Sequence, residues 1–155
     1  MAYRITRNAE ASIVDYITTQ LVTDGWVCRM ELDFSESYKG TLPCITVNAD
    51  DRPDERREVG SDSLSNYFTV EIRVFANNAG ERKDLRDWLL TKVMSGINYY
   101  TYVISNGTVS SKTLAGRISF IKILINRKEL KNTDNTTLYD RERHLLSFDC
   151  RVALS

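Results

Sequence analysis

The sequence predicts one α+β domain, residues 1–155, in which a mostly antiparallel or mixed β-sheet is flanked by two α-helices and two long charged loops. Several stretches alternate apolar and polar residues with a period of two, and only two stretches have helical spacing. The predicted strands follow one another without a regular strand–helix–strand repeat, which favours an α+β fold over a parallel sheet. A chain of 155 residues with no internal repeat or linker fits one domain with one core.

The N-terminal segment predicts a helix over residues 8–24. Its apolar residues recur at helical spacing and are Ile13, Tyr16, Ile17 and Leu21. Asn8 is a candidate N-cap, and Asp24-Gly25 is a typical helix stop. We therefore expect a helix that packs on the sheet through one face.

Two strands are predicted after this helix. Residues 26–34 alternate, and one face of this strand consists of Trp26, Cys28, Met30, Leu32 and Phe34. A polar turn leads to a shorter strand at residues 42–48. Pro43 favours an edge position or the start of that strand, because proline cannot donate a ladder hydrogen bond.

Residues 66–97 predict a strand that runs into a helix. The apolar face of the strand consists of Phe68, Val70, Ile72, Val74 and Ala76. A four-residue turn at 77–80 changes the period. The helix then has an apolar face of Leu85, Trp88, Leu89 and Val93, and an outer face of Glu81, Arg82, Lys83, Arg86 and Asp87.

Three further strands are predicted at residues 99–104, 117–125 and 143–154. Asn106-Gly107 is a strong hairpin signal after the first of them. The middle strand has two apolar faces, Ile121, Ile123 and Ile125 on one and Ile118, Phe120 and Leu124 on the other. This pattern favours a central strand or one that meets a neighbouring subunit.

Residues 50–65 and 126–141 predict two long polar loops. The first contains six acidic and three arginine side chains and almost no apolar residue. Both exceed the usual length of connections in compact domains, and long loops on a rigid scaffold are usually functional.

The sequence contains no catalytic motif, so we expect no enzyme activity and no cofactor. His144 is the only histidine, and its offsets of three and five from Ser147 and Asp149 put both on the opposite face of a strand. The acidic cluster at Asp50, Asp51, Asp54 and Glu55 lacks the ligand spacing of a calcium loop and is interpreted as a solvated loop. No Cys/His spacing matches a zinc site.

The bulk charge disfavours a dedicated nucleic-acid binder. The chain has 21 basic and 21 acidic residues, and no basic stripe is recognised beside the tyrosines of residues 99–102. No apolar run is long enough to span a membrane, and the N-terminus lacks a signal-peptide core. Cys28, Cys44 and Cys150 are interpreted as buried, reduced thiols.

These patterns together resemble the tail-terminator family among the neck, head–tail joining and tail-completion proteins of tailed bacteriophages. The similar parts are a helix ending in Asp24-Gly25-Trp26, the strand–helix unit at 66–97, and a closing strand in RERHLLSFDCRVALS after a polar loop. The resemblance is one of pattern and extends over most of the chain.

The resemblance implies a structural virion protein assembled in the host cytoplasm. Such proteins form a homo-oligomeric ring, usually hexameric, at the head-proximal end of the tail tube. The ring contacts the tail tube protein and the head connector, and DNA passes through its lumen without sequence-specific binding. The long loop of residues 50–65 is then expected to make intersubunit or ring-to-ring salt contacts through Arg52, Arg56, Arg57 and Glu58.

Two alternatives remain open from the sequence. One is a head-completion or stopper protein of the same neck, which lies between the portal and the terminator. The other is of a different class, a cytosolic, dimeric ligand-binding module built on an antiparallel sheet.

Overall fold

The structure, a computed structural model, describes residues 5–31, 43–49, 67–129 and 142–154. Two helices and six strands occur in the predicted order. In chain order they are α1 (Ile5–Thr23), β1 (Arg29–Glu31), β2 (Cys44–Ala49), β3 (Tyr67–Phe75), α2 (Ala79–Val93), β4 (Ile97–Ser105), β5 (Thr108–Glu129) and β6 (Glu142–Leu154).

The six strands form one mixed sheet in the order β1-β2-β3-β6-β5-β4. β1 and β2 are parallel, and the other four neighbouring pairs are antiparallel. The α+β fold with a mostly antiparallel sheet is therefore confirmed. α1 contacts both β2 and β4, which three strands separate in the sheet, so the sheet curls around this helix. Glu10 of α1 also accepts a hydrogen bond of 2.8 Å from the backbone N–H of Ala49 in β2.

The core lies between the concave face of the sheet and the two helices. The predicted inward face of β3 is confirmed, since each of its five side chains is at most 2% exposed. α1 contributes a buried stripe of Ala9, Ile13, Ile17 and Leu21, and α2 contributes Leu85, Leu89 and Val93. Burial of one large aliphatic side chain of this kind stabilises a fold by about 1.5–3 kcal/mol.

One residue of α2 lies on the face opposite to the predicted one. Arg82 was expected on the outer face, but it is 1% exposed. It precedes Leu85 by three residues and Leu89 by seven, so it continues the buried stripe of the helix. The sequence pattern assigned it outward because of its charge alone.

The predicted end of α1 is confirmed, whereas α1 and α2 both begin earlier than the sequence predicts. α1 ends as predicted at Asp24-Gly25: Gly25 has φ +75°, and the N–H of Trp26 donates to the Leu21 carbonyl at 2.9 Å. Asn78 caps α2 by accepting a hydrogen bond of 2.9 Å from the Glu81 N–H. The prediction for Asn8 is wrong, since α1 already begins at Ile5 and Asn8 is a buried residue within it.

The strand limits differ from the prediction mainly in β1 and β5. β1 covers Arg29–Glu31 only, and the rest of its predicted range is either irregular or outside the described residues. β5 has 22 residues, so residues 126–129 of the second predicted loop belong to a strand. β2 begins directly after Pro43, which is consistent with a proline at a strand start.

A bulge in β5 changes which of its side chains face the core. Phe120 pairs with Cys150 and Lys122 with Asp149, so Ile121 is the extra residue. Ile118, Phe120 and Ile123 therefore all pack with the core, whereas Ile121 is 58% exposed. The predicted division of these residues between two faces is wrong for this reason. The central position of the strand, between β6 and β4, is as predicted.

Candidate interaction surface

β4 and β5 form a two-stranded ribbon that projects past the rest of the sheet. β5 pairs with β6 from Gly116 to Glu129, and with β4 from Thr108 to Ile118. Between Thr108 and Ala115, β4 is therefore the only strand neighbour of β5 among the described residues. We refer to residues 100–114 as the ribbon.

The end of the ribbon is the hairpin that the sequence predicts. Asn106 and Gly107 have φ values of +51° and +76°, the pair of positive values that a type I′ turn requires. Ser110 and Ala115 are extra residues opposite β4, and these two bulges increase the twist of the ribbon. A hairpin of two strands is marginally stable in water when nothing packs against it.

One face of the ribbon is apolar and aromatic. Tyr100 pairs with Leu114 and Ile104 with Val109, and directly paired residues share a face. Val109 and Leu114 are 54% and 57% exposed, and Val103 on the other face is 54% exposed. The described residues contain seven exposed large hydrophobic side chains, and these are three of them. Exposed aliphatic side chains on a projecting element are typical of an interaction surface.

The base of the ribbon is held by polar side chains of α1. The backbone N–H of Tyr100 donates to Ser12 Oγ at 3.0 Å, and that of Tyr102 donates to Asn8 Oδ1 at 3.5 Å. The Ser12 hydroxyl in turn donates to the Asn8 carbonyl at 2.7 Å. Two outward N–H groups of β4 are thus satisfied by a helix, which closes this part of the strand edge to another strand.

A shallow cleft of about 210 Å³ lies between α1 and the ribbon. Lys112 Nζ lies 2.6 Å from Asp15 Oδ2 and 4.6 Å from the centre of the Tyr100 ring. The hydrogen bond that Lys112 donates to Asp15 raises the pKa of Lys112. The lysine therefore stays charged at neutral pH, and it spans the cleft from β5 to α1.

The aromatic side chains that line the cleft are Tyr16 and Tyr100, and Tyr102 lies outside this lining. Its ring lies 6.5 Å from that of Tyr100 at an angle of 60°. Burial raises the pKa of Tyr102, and the nearby Ser12 side chain lowers it by a smaller amount. The buried phenol oxygen makes no well-formed hydrogen bond. Tyr102 is therefore a neutral, packed phenol rather than a candidate base.

Within the described ranges, no group of three His, Cys, Asp or Glu side chains is arranged to hold a metal ion. No disulfide joins the three cysteines, which all lie in those ranges. Burial raises the pKa of Cys28 to about 12, so its thiol is protonated at neutral pH and is a poor nucleophile. His144 lies in β6, where its Cα pairs with those of Val74 and Arg127.

The four predicted interface residues lie outside the described residues. They are Arg52, Arg56, Arg57 and Glu58. The candidate interaction surface in the described residues is the ribbon, which was not predicted from the sequence as an interaction surface. Residues 88–128 contain six lysines and arginines and no acidic residue. Of these six residues only Lys112 lies in the ribbon, where its ammonium group lies over the Tyr100 ring.

No helix in the described part of the chain is long and apolar enough to cross a membrane. No protein-family model matches the chain, and no curated protein sequence matches it.

Proposed function

We propose that this protein is a structural virion protein of a tailed bacteriophage that forms a ring at the head-proximal end of the tail. In this role it ends assembly of the tail tube and joins the tail to the head connector. The projecting ribbon carries the proposal, because its apolar side chains are exposed in the single chain and fit burial in an assembly. The resemblance of the sequence to tail terminators supplies the identity of that assembly.

The arrangement of the fold supports an assembly role. The part of the described domain outside the ribbon, which we call the body, buries its core within one chain. The ribbon adds exposed apolar area on two paired strands. Non-obligate interfaces are built in this way, with aromatic and aliphatic side chains at the centre and polar residues around them. In the ring, the segment of residues 50–65 reaches the neighbouring subunit or the adjoining ring through Arg52, Arg56, Arg57 and Glu58.

The partners in this proposal are other copies of the chain, the tail tube protein and the head connector or stopper. A hexameric ring leaves a lumen through which DNA passes without sequence-specific contacts. The neutral total charge suits such a passage, because a strongly basic lumen would retain the phosphate backbone. In the alternative role, that of a stopper, the same subunit lies between the portal and the terminator.

The cleft between α1 and the ribbon supports a second candidate, an oligomeric ligand-binding module. Its polar groups and two tyrosines could orient a small molecule. However, its volume of about 210 Å³ is below the range of roughly 300–1,000 Å³ that ligand sites usually have. The Lys112–Asp15 pair also spans it. The assembly role is therefore the better supported of the two.

Mass measurement in solution combined with negative-stain imaging tests the proposal. We expect rings, or caps on the ends of tail tubes in preparations of assembled particles in which this protein is labelled. The virion role is contradicted if the protein is a compact dimer in solution and its label is not found on assembled particles. That result would favour the ligand-binding module.

Deletion of residues 52–60 tests the role of the first charged segment within this function. We expect the variant to lose ring formation or head–tail joining. A matched deletion of residues 132–138, in the second predicted loop, controls for shortening of a long connection. An intact ring that still joins heads to tails after the first deletion would remove these residues from the proposal.

A further inference from the structure

The ribbon has an open strand edge along β5. From Thr108 to Ala115, the edge of β5 that faces away from β4 has no strand beside it in the described part of the chain, because β6 pairs with β5 only from Gly116 onward. We call this edge of residues 108–115 the open edge. The residues from Ser105 to Leu114 are all exposed. Exposed strand edges pair readily with another strand unless something blocks them.

The hydrogen bonds of β4 show which backbone groups the open edge presents. The N–H groups of Tyr100 and Tyr102 point to α1, away from β5. In an antiparallel ladder, the residues paired with them then also point their N–H and C=O groups outward. These residues are Leu114 and Lys112, and the same alternation adds Val109. The open edge thus presents the backbone groups of three residues to another strand.

The usual protection of such an edge is missing here. Natural edge strands often carry a lysine whose charge opposes pairing with another chain. The only charged residue of the open edge is Lys112, and its ammonium group lies 2.6 Å from the Asp15 carboxylate of α1. The same ammonium group lies over the ring of Tyr100, on the β4 side of the strand. Its charge is therefore neutralised and directed away from the open edge.

The open edge is complementary to itself in one antiparallel register. Ser110 is an extra residue, so Val109, Lys112 and Leu114 occupy every second position of the ladder. When two copies pair about a two-fold axis through Lys112, Val109 of each copy lies opposite Leu114 of the other. Directly opposite residues of this kind exchange two backbone hydrogen bonds. The two aliphatic side chains, which are 54% and 57% exposed in the single chain, then cover each other.

This pairing also gives the ribbon the support that it lacks in the single chain. A hairpin of two strands is marginally stable in water, whereas three or more strands with an apolar face are stable. Two ribbons joined at their open edges form a four-stranded sheet, in which the apolar faces of the two copies are continuous. The register uses residues 109–114 only, so it ends before Gly116, where β6 occupies the edge.

We infer that two copies of this chain pair through their open edges in an antiparallel contact with two-fold symmetry. The inference goes beyond the proposed function, because it concerns the free protein. A two-fold contact closes after two copies and does not by itself build a ring. The dimer covers the apolar ribbon before assembly, and the partners in the assembly then replace the second copy.

Sedimentation velocity from about 1 µM to about 1 mM protein measures this dimerisation. Leu114→Asp places a charge opposite Val109 of the other copy. Val103→Asp is the matched control, because Val103 is a 54% exposed valine of the same ribbon that lies on β4 and on the other face. Wild type and Val103→Asp are expected to dimerise equally. Leu114→Asp should weaken dimerisation by about tenfold or more, since its charge enters the contact twice.

Cysteine cross-linking tests the register. Ser111 of one copy lies opposite Thr113 of the other in this contact, so the two positions are close enough for a disulfide. Under mild oxidation, a mixture of Ser111→Cys and Thr113→Cys should give far more disulfide-linked dimer than either variant alone. A mixture of Thr113→Cys with Thr91→Cys is the control, because Thr91 is exposed on α2. Hydrogen exchange at Lys112 and Leu114 should also slow as the protein concentration rises.

The inference is overturned if wild type stays monomeric up to about 1 mM, if Leu114→Asp dimerises like wild type, or if Val103→Asp weakens dimerisation as strongly. Equal cross-linking in the two mixtures would overturn it as well. Labelled assembled particles separate the two proposals. Rings or tube caps built from a protein that is monomeric when free would contradict the inference alone. Dimers with the expected cross-link, together with assembled particles that carry no label, would contradict the proposed function alone.

Discussion

The body around β3 and the ribbon of β4 and β5 have similar sequence patterns and very different surroundings. In β3, the alternate residues Val70, Ile72 and Val74 have no exposed surface, since the two helices cover them. In the ribbon, the paired residues Tyr100 and Leu114 lie on a face where Leu114 is 57% exposed. Alternation therefore predicts a strand with one apolar face, and it does not say whether that face is covered by the same chain.

The largest expected difference between the two regions is the effect of shortening an aliphatic side chain. Ile72→Ala should lower the free energy of unfolding by about 3–4 kcal/mol, because it leaves a cavity in a fully buried site. Val109→Ala should change it by less than about 0.5 kcal/mol. Urea unfolding monitored by circular dichroism measures both changes. Equal losses of stability would mean that the ribbon is packed within its own chain, and the comparison would fail.

The second prediction concerns Gly96, where α2 passes into β4. Its φ is +84°, and a Cβ atom there would lie 2.9 Å from the Ile118 carbonyl oxygen. Gly96→Ala should therefore lower the free energy of unfolding by about 2–3 kcal/mol. Gly25→Ala is the matched control, since Gly25 has φ +75° but open space at its Cβ position.

The control should cost about 1 kcal/mol, the strain of the positive φ alone. The difference between the two glycine variants, measured by thermal and urea unfolding, then reports the close approach of α2's end to β5. Equal losses of stability in the two variants would show that the backbone around Gly96 shifts to accept the Cβ atom. They would also show that β4 is held mainly by α1.

The third prediction concerns the bonds by which α1 holds the base of the ribbon. Ser12→Ala removes the acceptor of the Tyr100 N–H, and a buried donor without a partner costs about 1–2 kcal/mol. Thr18→Ala on the same helix is the control, because the Thr18 hydroxyl is exposed and bonds only to the Val14 carbonyl of its own helix. We expect a change of less than about 0.5 kcal/mol for this control. Hydrogen exchange at Tyr100 should accelerate in Ser12→Ala and not in Thr18→Ala.

The sequence predicted the element order, the fold class and the buried face of β3, since these depend on short-range periodicity. It failed where a tertiary contact overrides a local preference. Arg82 is charged and lies on the buried stripe of α2, and Asn8 has the chemistry of a cap but bonds to β4 from within α1. The bulge at Ile121 reverses the faces of β5, and nothing in the residues 117–125 marks its position.

The candidate surface was less predictable than the fold for a related reason. The Asn106-Gly107 hairpin was predicted, yet its projection past β6 depends on where distant strands pair. The charge separation between residues 31–66 and 88–128 is present in the sequence, but a total of zero conceals it. The ribbon itself contains a single charged residue, Lys112, so charge alone does not mark it as a surface.

The smallest predicted effect concerns the contact between the two helices of the body, where Asp24 accepts from Lys92 at 2.8 Å and from Trp88 Nε1 at 2.7 Å. These two hydrogen bonds, first that of Lys92, hold the pKa of Asp24 below its ordinary value of 3.8. Because the folded state lowers this pKa, the carboxylate stabilises the fold above pH 3.8. That stabilisation is lost as the pH falls through the lower pKa of the folded protein.

Asp24→Asn should therefore be less stable than wild type at neutral pH, and the difference should disappear in acid. Lys92→Met should show the same pH profile, because it removes the main cause of the lowered pKa. Urea unfolding followed by tryptophan fluorescence measures both profiles, and Trp88 reports directly on the contact. The ribbon is distant from this pair, so Val109→Ala should keep the wild-type profile. A stability difference that persists unchanged to about pH 2 would show that Asp24 acts by packing and not by charge.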